Sequence, residues 1–163
     1  MMRLKKPIFW DSKKISFWSI LLFPITLIYQ FLFNQLRFFK NKKNFTVPVI
    51  CIGNIYLGGT GKTPLAKKIF NIMKSMNKNP TFVKKYYKYL DDEIKMLSKT
   101  GKTIACGSRK EGILQSIDFG YDVVILDDGF QDFSIKSNFS VLCFNSKQLI
   151  GNGLLIPSGP LRE

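Results

Sequence analysis

The stretch V-P-V-I-C-I-G-N-I-Y-L-G-G-T-G-K-T-P, residues 47–64, decides the fold of this chain of 163 residues. It begins as an apolar run typical of a buried strand and continues as a glycine-rich loop that ends in Lys62 and Thr63. Glycines let consecutive backbone N–H groups turn inward, and a helix that starts at Lys62 adds the partial positive charge of its N-terminus. The stretch therefore predicts a strand, a loop that holds phosphate groups, and a helix.

Individual residues of this loop have distinct predicted roles. Lys62 would reach the β and γ phosphates of a nucleotide, and the hydroxyl of Thr63 would be a ligand of Mg²⁺. The strict pattern G-x-x-x-x-G-K-[ST] is not met, because Tyr56 stands where its first glycine belongs. A turn that merely links strand to helix is the alternative, but it does not account for Gly-Lys-Thr at a helix start. The residues expected to hold the phosphates of ATP are Gly58, Gly59, Thr60, Gly61, Lys62 and Thr63.

Short apolar runs alternate with segments of helical periodicity from residue 46 onward. The runs are 47–52, 81–83, 103–106, 123–126 and 141–144. Residues 62–76 place apolar side chains at three- and four-residue spacing on one face, which predicts a helix. This alternation predicts an α/β fold, a P-loop NTPase-like, mostly parallel sheet flanked by helices.

A pair of carboxylates ends the fourth apolar run. In V-V-I-L-D-D-G-F-Q-D, residues 123–132, Asp127 and Asp128 follow the strand directly. P-loop proteins hold Mg²⁺ with such a carboxylate, and ligands of open α/β sheets bind at the carboxyl ends of strands. A solvated D-D-G turn is the alternative. Together with Lys62 and Thr63, the pair favours a metal site.

The chain contains no histidine, which excludes Ser-His-Asp triads, Cys-His pairs and His-ligated zinc. Proton transfer must then use carboxylates, lysine or tyrosine. The segment Asp91-Asp92-Glu93 precedes a short helical stretch and could supply a general base for phosphoryl transfer. Alternatively, these acids only complement the dipole of a helix N-terminus.

The three cysteines, Cys51, Cys106 and Cys143, lie in or beside apolar runs and share no C-x-x-C spacing. An odd number of distant cysteines argues against a zinc site and against a secreted disulfide framework. They are therefore predicted to be buried core thiols in a reducing cytosolic setting.

The amino-terminal region combines positive charge with apolar residues. The chain has 25 Lys and Arg residues against 11 Asp and Glu, a formal net charge of +14. Nine of those basic residues precede residue 45, on both sides of the uncharged stretch 17–33, FWSILLFPITLIYQFLF. As a helix, that stretch would cover about 25 Å, short of the roughly 30 Å hydrocarbon core, and it contains Pro24. An interfacial helix or broken hairpin on an anionic membrane surface fits these features best.

Other interpretations of this stretch differ in their requirements. A single transmembrane anchor stays open, although basic residues on both flanks give no clear orientation. A buried core helix is less favoured because of the basic clusters, and a signal peptide lacks its small-residue cleavage site. Nucleic-acid binding would not need a run of Leu, Ile and Phe. We therefore divide the chain into a basic, hydrophobic membrane-associating segment, 1–45, and a P-loop nucleotide-binding domain, 46–163.

Three motifs, in order and spacing, closely resemble the tetraacyldisaccharide 4′-kinases, the lipid A kinases. They are G-N-I-Y-L-G-G-T-G-K-T-P (53–64), D-D-G-F-Q (127–131) and G-N-G-L-L-I-P-S-G-P-L-R-E (151–163). The resemblance implies an enzyme of lipid A biosynthesis that uses ATP and Mg²⁺ to phosphorylate the 4′ hydroxyl of a tetraacylated glucosamine disaccharide 1-phosphate. It also implies a peripheral or monotopic protein on the cytoplasmic face of the inner membrane, with no nucleic acid and no obligate protein partner.

The resemblance implies roles for further residues. The family's G-D-E-P segment aligns with D-D-E-I here, so Asp92 resembles the catalytic base and Glu93 a metal-side carboxylate. Asp127 and Asp128 resemble the carboxylates beside metal and phosphates. The residues that resemble the lining of the acceptor site are Gln131, Arg162 and Glu163.

The chain also departs from the family pattern. V-K-K-Y-Y-K-Y replaces a loop rich in S-R-G-Y-G, and Asp132 stands where the family often has histidine. The resemblance covers about the first half of a family member, so we expect a truncated form without the carboxyl-terminal domain. The alternatives are a membrane-tethered regulatory P-loop ATPase, disfavoured by Leu57 and the final G-P-L-R-E, and a catalytically dead nucleotide-binding module.

Overall fold

A computed structural model describes residues 6–12, 14–56, 61–87, 91–146 and 148–162. The chain forms two compact units, each made of separate stretches of the sequence. Unit 1 consists of Met1–Phe39, Ile55–Thr60 and Phe144–Glu163, and unit 2 of Lys40–Asn54 and Gly61–Cys143. The last residues of the chain therefore group with the amino-terminal segment.

Unit 2 is built on a five-stranded parallel sheet. Its strands are β1 (Val49–Gly53), β2 (Pro80–Lys85), β3 (Thr103–Cys106), β4 (Val123–Asp127) and β5 (Phe139–Leu142). They lie in the order β3-β2-β4-β1-β5, and every pair is parallel. This confirms the predicted α/β fold class. The predicted run 141–144 is displaced from β5, because this largely exposed edge strand is defined by backbone pairing with β1 rather than by burial.

The described residues contain four α-helices. They are α1 (Phe17–Phe38) in unit 1, and α2 (Lys62–Ser75), α3 (Asp91–Ser98) and α4 (Arg109–Asp118) in unit 2. The predicted helix 62–76 is confirmed to within one residue as α2, which begins after Gly61 in the left-handed region at φ 78°. The acidic segment Asp91-Asp92-Glu93 forms the first turn of α3 rather than preceding a helix. Negative side chains there complement the helix dipole.

The core of unit 2 covers both faces of the sheet, since successive strand residues point to opposite sides. On one face, Phe70 of α2 stacks on Phe82 of β2 with ring centroids 4.7 Å apart, and Leu97 of α3 joins the same cluster. On the other face, Ile113 of α4 packs against Val83 and Leu126. Every residue of β1 and β4 is buried, as expected for central strands of a parallel sheet.

All three cysteines are buried thiols, which confirms their prediction as core residues. Burial raises the pKa of Cys106 and of Cys143 above its ordinary value. Because the thiolate is the reactive form, we expect a thiol reagent to label the native chain at pH 8 about 100-fold more slowly than the urea-unfolded chain. Absorbance of the released chromophore measures both rates. Rapid labelling of the native chain would contradict a stable core.

In the described part of unit 1, the apolar stretch forms one continuous α-helix after a short 3-10 helix at Ile8–Trp10, so the predicted broken hairpin is wrong. α1 runs for 22 residues, about 33 Å, and passes through Pro24. The Ser16 hydroxyl accepts a hydrogen bond from the Ser19 backbone N–H at 3.2 Å and caps the helix. The helix extends beyond the predicted 17–33 because five further residues add another turn. By length and composition it could cross a membrane, which is weak evidence by itself.

The two sides of α1 are reversed relative to a core helix. Its buried residues are the polar Ser19 and Thr26, and the Thr26 hydroxyl donates to the Ser158 hydroxyl at 2.7 Å. Asn152 donates to the Ser19 hydroxyl at 3.1 Å. Twelve of its large apolar residues are 42–83% exposed. These are Phe17, Trp18, Ile20, Leu21, Phe23, Ile25, Leu27, Ile28, Phe31, Leu32, Leu36 and Phe38. The alternative of a buried core helix is therefore wrong in this structure.

Candidate nucleotide-binding site

The end of β1 and the start of α2 position the lysine of the predicted phosphate loop. The ammonium of Lys62 donates to Asn54 Oδ1 at 3.0 Å and lies 3.8 Å from Asp128 Oδ1. Gly53 ends β1 where a Cβ would lie 1.9 Å from the Phe130 ring, so only glycine fits without movement of the ring. The predicted residues Gly58, Gly59 and Thr60 lie outside the described residues.

Asp127 is the buried centre of the site. It ends β4 in register with Ile52 of β1 and is 0% exposed. Its Oδ2 accepts a hydrogen bond from the Thr63 hydroxyl at 3.2 Å and another from the Lys84 ammonium at 2.6 Å. Its Oδ1 is buried and has no hydrogen-bond partner within the described residues. The start of α2 and the carboxylate at the end of β4 therefore meet, as the sequence predicts.

The donor set around Asp127 fits a magnesium ion. Asp127 Oδ1 has no hydrogen-bond partner among the described residues, and Asp127 Oδ2 contacts the Thr63 hydroxyl. P-loop proteins use a strand-end carboxylate and this hydroxyl to hold Mg²⁺. Among the described residues, no three His, Cys, Asp or Glu side chains form a metal cluster. That is compatible with magnesium, which usually binds through one or two carboxylates, substrate phosphates and water.

Lys84 is a site residue that the sequence patterns do not single out. Its side chain is only 3% exposed, and its ammonium also donates to Glu93 Oε2 at 2.5 Å. Burial by itself lowers the pKa of Lys84, but the attraction of Asp127 and hydrogen bonds to both carboxylates outweigh it and raise the pKa above 10.5. The pairing of Val83 with Leu126 brings Lys84 beside Asp127. Lys84 can be recognised as a site residue only once β2 is known to lie beside β4.

Glu93 and Asp92 point to different surroundings although they are neighbours in α3. Glu93 reaches the cluster around Asp127 through Lys84, so its observed partner is an ammonium. Asp92 is exposed, on a surface that it shares with Lys95 of α3 and with Lys99, which follows the helix. The structure thus brings Glu93 to the buried carboxylate and leaves Asp92 at the surface of this unit.

The turn after β4 carries the remaining predicted residues of unit 2. Asp128 adopts the left-handed region at φ 64°, and its carbonyl accepts a hydrogen bond from Arg109 Nη2 at 2.6 Å. Arg109 Nη1 also lies 3.7 Å from Asp132 Oδ2. Sequence reasoning missed Arg109 because only the fold brings α4 to this turn. Gln131 is exposed.

Of the two acceptor-site residues predicted at the end of the chain, Arg162 belongs to unit 1 and Glu163 lies outside the described residues. The Arg162 backbone N–H donates to the Ile55 carbonyl at 2.8 Å, and its carbonyl accepts from the Tyr29 hydroxyl at 2.9 Å. The backbone at Arg162 is therefore held by α1 and by the segment after β1.

A family model and several proteins are similar to this chain. The model of the family "Tetraacyldisaccharide-1-P 4'-kinase" matches residues 18–163. A tetraacyldisaccharide 4'-kinase of Pelagibacter ubique is 46% identical over 99% of this chain and 51% of its own length. One from Rickettsia bellii is 33% identical over 100% of this chain and 55% of its own length. The chain spans about half the length of the curated relatives it matches.

A solved structure has a similar fold. It is an "apo" form of LpxK from Aquifex aeolicus in complex with ATP, with a TM-score of 0.73 and 26% sequence identity. The match covers 89% of this chain and 54% of the other. The solved protein carries ATP on a fold that this chain shares.

Proposed function

Because the chain belongs to the tetraacyldisaccharide-1-P 4'-kinase family, we propose that it is the ATP-binding half of a lipid A 4′-kinase. Its substrate would be a tetraacyldisaccharide 1-phosphate, and the γ-phosphoryl group of ATP would pass to the 4′ hydroxyl. The observation that carries this proposal is the contact between Thr63 Oγ1 and Asp127 Oδ2, with the Lys62 ammonium 3.8 Å from Asp128 Oδ1. This arrangement unites a phosphate-binding lysine with two metal-binding groups.

In the proposed reaction, Lys62 binds the β and γ phosphates and reduces their repulsion of the incoming hydroxyl. Thr63 and Asp127 would hold Mg²⁺, with Asp128 beside the phosphates. When bound, Mg²⁺ neutralises charge on the phosphate oxygens. Glu93 is proposed as a further carboxylate on the metal side, where its partner is the Lys84 ammonium.

The proposed base is Asp92, which takes the proton of the 4′ hydroxyl. The hydroxyl oxygen then forms a bond to the γ phosphorus as the bond to the ADP oxygen breaks. Asp92 is exposed at the start of α3, where an acceptor can approach from solvent. Gln131, Arg162 and Glu163 are proposed to line the acceptor site, and Gly58, Gly59, Thr60 and Gly61 to complete the phosphate loop.

A transfer assay tests this function. We expect the 163-residue chain to move radiolabelled phosphate from ATP to the disaccharide 1-phosphate in mixed micelles, and Asp92→Asn to lose at least about 100-fold in rate. Asp118→Asn, an acid at the end of α4, is the control and should retain the rate. ATP hydrolysis without lipid dependence would favour a regulatory ATPase, and neither activity would overturn the kinase proposal for this chain.

We also propose that α1 lies in the anionic cytoplasmic face of the inner membrane. Its buried residues are the polar Ser19 and Thr26, while most of its large apolar residues are exposed. Lipid would cover the exposed apolar side chains of α1 and remove them from water. The flanking lysines and arginines would contact anionic head groups. A membrane location would suit a substrate with four acyl chains.

Charge on the outward side of α1 should prevent membrane binding. Leu21→Asp is expected to reduce sedimentation with phosphatidylglycerol vesicles at least tenfold, because a charged residue in an apolar phase costs about 2.5–3.5 kcal/mol. Leu114→Asp is the matched control, since Leu114 is 40% exposed on α4 and Leu21 is 56% exposed on α1. Equal vesicle binding by both variants would contradict the membrane role of α1.

A further inference from the structure

Lys84 is a buried cation in the candidate nucleotide site, and the function proposed above gives it no role beyond its contact with Glu93. Its ammonium donates hydrogen bonds to Asp127 Oδ2 at 2.6 Å and to Glu93 Oε2 at 2.5 Å. Two carboxylates in contact with one amine favour its charged form. The site therefore contains a fixed positive charge before any nucleotide arrives.

This contact makes the two oxygens of Asp127 unequal. Oδ2 is engaged by Lys84 and by the Thr63 hydroxyl, whereas Oδ1 is buried and has no hydrogen-bond partner in the described part of the chain. A metal ion would find a single uncommitted oxygen on Asp127. The ammonium also reduces the net charge of Asp127, Glu93 and Lys84 from −2 to −1.

We propose that Lys84 is a positioning residue that acts as a built-in cation, restricting Asp127 to one metal-facing oxygen and reducing the dependence of ATP binding on Mg²⁺. The inference rests on the proposed ATP site. Nucleotide phosphates are repelled by a bare carboxylate, and in many sites only a metal ion removes that repulsion. Here the ammonium of Lys84 reduces that repulsion before a metal ion binds.

The test compares nucleotide affinity in magnesium and in EDTA. The dissociation constant of a fluorescent ATP analogue is measured by anisotropy in both buffers. The readout is the ratio of the constant in EDTA to the constant in magnesium, which is larger when binding depends more on the metal. Lys84→Gln retains a donor for Asp127 but removes the charge. We expect its ratio to exceed that of the unmodified chain at least tenfold, which corresponds to about 1.4 kcal/mol.

Two further variants separate charge from packing. Lys84→Arg restores the charge and should return the ratio toward that of the unmodified chain. Lys85→Gln removes the same charge from the next residue of β2, whose side chain points to the other face and lies over the Tyr87 ring. It should leave the ratio unchanged, whereas a merely structural role for Lys84 would alter both affinities in parallel.

The outcomes distinguish this inference from the function on which it rests. If the unmodified chain binds no analogue in either buffer, the ATP site and this inference both fail. If the analogue binds but Lys84→Gln leaves the ratio unchanged, only the role of Lys84 is overturned. If Lys84→Gln does not fold, a thermal melt of the unmodified chain tests the role of Lys84 instead. Because Lys84 already occupies one oxygen of Asp127, magnesium without nucleotide should raise the Tm of the unmodified chain by less than about 1 °C. A clearly larger rise overturns the role of Lys84.

Discussion

Replacing Lys62 with alanine is expected to weaken ATP binding about 100-fold, or about 2.7 kcal/mol. The Lys62 side chain is 16% exposed, and its ammonium is held between Asn54 and Asp128. A charged hydrogen bond to phosphate in such a partly buried place is screened less than one at the surface. Isothermal titration calorimetry with Mg²⁺ and ATP measures the loss, and phosphoryl transfer should disappear with it.

The matched control for this substitution is Lys68→Ala on the same helix. Lys68 is exposed, so its removal subtracts the same charge without removing a phosphate contact. We expect its ATP affinity to change less than about threefold. If Lys62→Ala and Lys68→Ala behave alike, Lys62 only ties the start of α2 to Asn54, and the nucleotide site must be elsewhere.

Replacing Lys84 with methionine is expected to lower the free energy of unfolding by about 3–5 kcal/mol. The change leaves the Asp127 carboxylate, which is 0% exposed, without its ionic partner. Methionine fills a similar volume, so the loss reports the charge rather than a cavity. Urea unfolding at pH 7, followed by circular dichroism, measures it. A loss below about 1 kcal/mol would show that water or chain movement compensates Asp127.

The pH dependence of this difference has a definite sign. Because the folded pKa of Lys84 is raised above its ordinary value of 10.5, the stabilisation is complete below that value and is lost as the pH rises through the folded pKa. The gap between Lys84→Met and the unmodified chain should therefore be constant near neutrality and shrink above pH 10.5. Lys84→Met combined with Asp127→Leu should recover most of the stability, since a well-packed apolar pair can replace a buried ion pair.

Much of the fold follows from local patterns. The apolar run that became β1 and the periodic segment that became α2 were both predictable, because strand and helix differ in the spacing of their buried side chains. The edge strand β5 was less so, since its exposed residues carry no burial pattern. Pro24 misled the prediction for α1. Proline interrupts only one backbone hydrogen bond, and the rest of the helix remained continuous.

The candidate site divides in the same way. Lys62, Thr63 and Asp127 were predicted because each adjoins a recognisable strand or helix end, and the structure places Thr63 on Asp127. Lys84 and Arg109 were missed because their partners are distant in the chain, on β4 and on the turn after it. Asp92 and Glu93 are adjacent acids in the sequence, and no pattern distinguishes their surroundings. In the structure Glu93 contacts Lys84, whereas Asp92 is exposed.

The sequence by itself determined β1 and α2 in the stretch 47–64, the parallel sheet and the apolar character of α1, since these depend on spacing between near neighbours. Its motifs also determined the family. Tertiary structure decided which charges meet. Lys84 is a surface-type residue by composition, yet it is buried between Asp127 and Glu93 because β2 lies beside β4. Likewise, Thr26 and Ser158 are 132 residues apart, and only folding brings their hydroxyls together and turns the apolar side of α1 outward. Contacts of this kind depend on strand order and packing, which no local pattern encodes.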